Sequence, residues 1–69
     1  MINIEDIIPF MKKGWVAMHK NGNWTFYGSE PHCDKTTGSW IAHSNYVDHL
    51  DSFDIAPAED WEKSLREVK

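Results

Sequence analysis

Cysteine is almost missing from this 69-residue sequence. Cys33 is the single one, so no intramolecular disulfide can form. That excludes the disulfide-stapled secreted miniproteins and points to a reducing compartment. Basic residues are also scarce: 7 Lys and Arg stand against 11 Asp and Glu, for a net charge of −4. No basic face for a phosphate backbone can be assembled from so few, which argues against nucleic-acid binding. Long apolar runs are absent, so no membrane span is expected. The opening Ile2-Asn3-Ile4-Glu5-Asp6 has neither the basic n-region nor the apolar h-region of a signal peptide. The expectation is a cytoplasmic protein with no membrane association. Glycine is sparse, with no phosphate-cradling loop, and no general acid–base pair stands out. Neither an enzyme nor a cofactor is therefore expected. There are no internal repeats and no low-complexity tract.

Aromatic residues are what the chain has in excess: four Trp, three Phe and two Tyr. A chain this short buries only about 60% of its unfolded surface and is marginal in stability. Each aromatic can bury about 150–250 Å², which partly offsets that. The aromatics concentrate in residues 14–27, GWVAMHKNGNWTFY, the stretch that organises the chain. Two strand-forming runs, residues 15–20 and 23–27, flank Asn21-Gly22, a strong hairpin signal because both tolerate positive φ. A two-residue loop would pair Lys20 with Asn23. A three-residue loop, with Gly22 left-handed as a bulge, would pair His19 with Asn23. The second is preferred, because it gathers Val16, Met18, Trp24 and Phe26 on one face. The other face then carries Trp15, Ala17, His19, Thr25 and Tyr27.

The flanks read as follows. Asn3 is an N-cap, with Glu5 and Asp6 in the first turn where the helix dipole favours acids. Ile4, Ile7, Ile8 and Met11 follow a helical stripe that Pro9 interrupts, so only one or two helical turns are expected before Gly14. Residues 28–38 read as a long loop. Residues 39–44 read as a third strand, 45–52 are ambiguous, and 53–55 read as a short fourth strand. Residues 59–68 are predicted to be a helix. Acids open this stretch, bases close it, and Trp61, Leu65 and Val68 form the stripe. The sum is one α+β domain over residues 1–69. A small antiparallel sheet of three or four strands, built on the hairpin, packs against that C-terminal helix. Val16, Met18, Trp24, Phe26, Trp61 and Leu65 are its expected core.

Candidate chemistry is thin. His32, Cys33, His43 and His49 are residue types that zinc takes, but there is no C-x-x-C framework, and no metal site is expected. Cys33 has no positioned base assured by its neighbour His32, so no thiol nucleophile is expected. Asp48, Asp51 and Asp54 lack the glycine and terminal glutamate of a calcium loop. The aromatics remain. One helix covers one face of a sheet, so Trp15, His19, Tyr27 and Trp40 are the candidate protein-contact residues on the other.

The order of elements carries a resemblance. Trp15 to Met18, Asn21, Gly22, Trp24, Phe26 and Tyr27, followed by Asp60, Trp61, Ser64 and Leu65, resemble a group of small proteins encoded by phages and prophages of gut bacteria. His19 stands where an acid is common in that group. The resemblance implies a phage-related origin and transfers no site residues. Gly14-Trp15, Asn21-Gly22, Trp24, Phe26-Tyr27 and Thr37-Gly38-Ser39-Trp40 are also similar to one repeat of the choline- or glucan-binding wall modules. Here only one copy is present and Ser39 intrudes before Trp40. The functional expectation is a non-enzymatic accessory protein that binds a protein or its own copy. The alternative is an aromatic cage for choline or cell-wall glycan.

Overall fold

The computed structural model describes residues 1–43 and 46–69. The chain begins with α1 (Ile4–Ile7), where the Asn3 side chain accepts a hydrogen bond from the Glu5 amide at 3.0 Å. A 3-10 turn at Ile8–Phe10 follows, with Pro9 in its first positions, where its missing N–H costs nothing. Strands β1 (Gly14–Met18) and β2 (Trp24–Tyr27) form the central hairpin.

Met18 pairs with Trp24, and the His19 amide bonds to the Asn23 carbonyl at 2.9 Å. The loop is therefore the three-residue one, with Gly22 left-handed at φ 94°. Its register places Val16, Met18, Trp24 and Phe26 in one buried cluster with Ile4, Leu50, Ile55 and Val68.

Strand β3 (His32–Asp34) pairs antiparallel with β4 (Ser39–Ile41) in a separate two-stranded sheet. Strand β5 (Val47–His49) pairs with β2, and β6 (Arg66–Val68) pairs with β1. The main sheet has four antiparallel strands in the order β5-β2-β1-β6.

Four expectations about the elements are corrected. Residues 28–38 contain β3, which returns through a turn with Gly38 left-handed at φ 73°. Residues 53–55 contribute only a single parallel bridge between Ile2 and Ile55. The expected third strand, residues 39–44, ends at Ile41 as β4; Ser44, and Asn45 at the start of the ambiguous segment, lie outside the described residues.

The largest correction is the C-terminal helix. Residues 59–68 form one 3-10 turn, Trp61–Lys63, and then β6. Asp60 caps the turn by accepting from the Glu62 amide at 3.0 Å. Ser64 ends it. Its hydroxyl oxygen accepts from the Met18 amide at 2.8 Å and lies 2.7 Å from the Trp61 carbonyl. Ten residues with no tertiary help make a marginal helix. The outer edge of β1, lying in a buried strand, needs partners for its backbone groups. Pairing with β6 satisfies it. Trp61 and Leu65 accordingly become partly buried bridges between segments rather than fully buried core.

Candidate protein-contact surface

The second face of the hairpin is covered, not open. The β3–β4 unit lies on it: the Lys20 amide bonds to the Gly38 carbonyl at 2.9 Å, and Trp40 packs with Ala17 and Tyr27. Of the four candidate contact residues, Tyr27 is 3% exposed and Trp40 8% exposed, so neither offers a surface. Trp15 is partly buried against the same cluster.

His19 sits inside a hydrogen-bond network. The Trp40 amide donates to its Nδ1 at 3.2 Å, so the ring proton is on Nε2. That nitrogen donates to Thr25 Oγ1 at 2.9 Å, and the Thr25 hydroxyl faces His49 Nδ1 at 3.4 Å. The Tyr27 hydroxyl donates to the Trp40 carbonyl at 2.9 Å. Burial pushes the Tyr27 phenol up, so it stays a donor. The exposed aromatic face expected there is thus an internal seam.

A pH dependence follows. Desolvation first, and His49 second, lower the His19 pKa, with Asp51 opposing. A second ring proton would also set an N–H against the Trp40 amide. The unfolded chain takes up that proton near the ordinary histidine pKa of about 6.5, and the folded chain resists it. This part of the stability is therefore fully present above about pH 6.5 and is lost as pH falls through the lowered folded value. His19→Asn keeps an acceptor for Trp40 and removes the titration. Urea midpoints at pH 7.5 and 5.5 are expected to fall further for the wild type than for this variant. Equal falls would contradict the assignment.

The metal candidates are dispersed. The His32 and His43 rings neighbour each other at 6.0 Å between centroids, Cys33 packs under the second cluster, and His49 faces Thr25. Among the described residues no three His, Cys, Asp or Glu side chains gather. Desolvation, then the nearby Glu62, push the Cys33 thiol up, which opposes a thiolate nucleophile. Two of the tryptophans that an aromatic cage would draw on are engaged within the fold. Trp24 is core and gives its indole N–H to the Ala56 carbonyl, and Trp40 gives its own to the Trp61 carbonyl. No described helix is long and apolar enough to cross a membrane.

Two of the concavities among the described residues bear on binding. The larger, about 510 Å³, lies over Trp24 between α1 and residues 56–60. Its walls mix Glu5, Glu59 and Asp60 with Lys63 and Arg66, and an Arg66–Glu5 ion pair at 2.7 Å joins two of them. Mixed signs select no ligand class.

The smaller concavity, about 190 Å³, lies beside β5 and is lined by Met11, Lys12, Phe26, Tyr46, Asp48 and Leu50. Tyr46 meets Phe26 edge-on at 5.8 Å, and the Lys12 ammonium sits 5.6 Å from the Tyr46 ring. Apolar side chains stand in water nearby along the chain: Tyr46, which lines the hollow, is 48% exposed; Val47, on the opposite face of β5, 44%; and Phe10, next in sequence to Met11, 88%. Sequence reasoning missed this surface because residues 45–52 carry no clear period and Phe10 lies in the helical stretch that Pro9 interrupts.

No family model, curated protein or solved structure matches the chain.

Proposed function

We propose that this chain is a non-enzymatic binding protein whose partner is another protein. One observation carries the reading: β5 and its lead-in expose Tyr46 beside a small apolar hollow and Val47 on the strand's other face, while the aromatics of the hairpin itself are covered or partly covered. Apolar side chains left in water around a hollow are what interface centres are made of. The net charge of −4 suits a basic partner surface and sharpens encounter with it. The setting is that of the phage- and prophage-type accessory proteins the hairpin resembles, acting in the bacterial cytoplasm.

The test is affinity capture from a bacterial lysate with the wild type and with Phe10→Ser and Val47→Ser, after the solution mass has been measured. The expected result is a monomer that retains a defined protein, with retention reduced in both variants. A chain that retains nothing at low salt, or variants that retain the same protein equally, would contradict the proposal. A stable dimer weakened by the same substitutions would identify its own copy as the partner.

A further inference from the structure

The β5 strand has an open backbone edge. The Gly28 amide bonds to the Tyr46 carbonyl and the Leu50 amide to the Trp24 carbonyl, both at 3.0 Å. In an antiparallel ladder these groups alternate, so the even residues 46, 48 and 50 face β2. Val47 and His49 therefore turn their N–H and C=O groups away from the sheet. Among the described residues, nothing pairs with them. All three side chains of β5 are exposed. The opposite edge of the sheet is defended differently: β6 carries Arg66 in an ion pair with Glu5, followed by Glu67.

Resting on the protein-binding reading, we infer that β5 receives a basic, extended segment of the partner as a fifth antiparallel strand. The argument for the occupant is charge. Among the described residues, the Asp48 carboxylate takes part in no hydrogen bond or ion pair. It stands in the middle of the free edge and borders the 190 Å³ hollow. A bare carboxylate on an edge strand repels indiscriminate pairing, and it admits a strand that brings a cation opposite it. The residue opposite Asp48 is thus lysine or arginine. Its neighbour opposite Val47, on the other face, is β-branched or aromatic. The side chain two places from the cation lies beside Tyr46 and enters the hollow as an apolar group. A second copy of this chain fits poorly: in the register that overlaps all three strand residues, Asp48 would face Asp48.

The probe is a random dodecapeptide library displayed on yeast, selected on the full chain and depleted on Val47→Pro. The Val47 N–H points outward, so proline removes no bond within the sheet, only the donor an added strand would use. Recovered peptides are expected to alternate, with lysine or arginine flanked by β-branched or aromatic residues. Binding of the strongest peptide, read by fluorescence anisotropy, is expected to weaken about two- to tenfold in Val47→Pro, the loss of one backbone hydrogen bond. The same loss is expected when alternate peptide amides are N-methylated. Asp48→Lys, which leaves the backbone untouched, is expected to weaken it as well, and exchanging the peptide's lysine for glutamate to restore it. No enrichment, or binding indifferent to N-methylation and to Asp48→Lys, would overturn the inference. If a lysate protein were still captured equally by the wild type and Asp48→Lys, strand addition would fail while the protein-binding reading stood. Capture of nothing by either would defeat both.

Discussion

Gly14→Ala is expected to destabilise the protein by about 3 kcal/mol or more, at the upper end of overpacking effects. An alanine methyl at this position would come within 2.5 Å of both the Phe26 ring and the Tyr27 carbonyl oxygen. The ring can turn aside. The carbonyl belongs to β2 and can move only if the β1–β2 ladder shifts. A chain of this length has about 3–10 kcal/mol of stability in all, so the loss is a large share of it. The melting temperature should fall by more than about 10 °C, taking 4–8 °C per kcal/mol for a domain of this size. Phe26→Leu in the same background should recover only part, since it relieves the ring contact and not the carbonyl. A melting temperature within a few degrees of the wild type would show that the strand packing is looser than described.

Ser64→Ala is expected to cost about 1–3 kcal/mol, the penalty of a buried donor left without its acceptor. Ser64 is fully buried, and its oxygen is the acceptor 2.8 Å from the Met18 amide. The direction of the effect separates two structures for the C-terminus. Were residues 59–68 a helix, alanine, the strongest helix former, would be neutral or stabilising there. In the strand arrangement it removes the tie between the C-terminal segment and the end of β1. Urea denaturation would read the difference, and a variant as stable as the wild type would favour the helix.

These two positions also show what the sequence makes legible. The hairpin was readable because its signals are local: Asn21-Gly22 at the turn, and a clean apolar face in only one register. The Asn3 cap was readable for the same reason. The C-terminal segment was not. Its acid-to-base gradient and the spacing of Trp61, Leu65 and Val68 fit a helix, and the decisive contact, Ser64 to Met18, joins residues 46 apart. β3 was hidden because His32-Cys33-Asp34 contains no strand former, although Asp34 and Gly38 in fact make its turn. The candidate contact surface moved for one reason. β3 and β4 cover the face that held Trp15, His19, Tyr27 and Trp40, whereas Tyr46 and Val47, at β5, are among the side chains left exposed. Which face is covered depends on long-range pairing that composition and periodicity do not encode.

Amide hydrogen exchange, followed by NMR on the free protein and on its complex with the captured partner, tests the central claim most directly. In the free protein the Val47 and His49 amides should exchange far faster than that of Asp48, which faces β2. On partner binding both should become protected, and Asp48 should change little. A complex that forms while Val47 and His49 keep exchanging freely would contradict the open β5 edge as the place where this protein meets its partner.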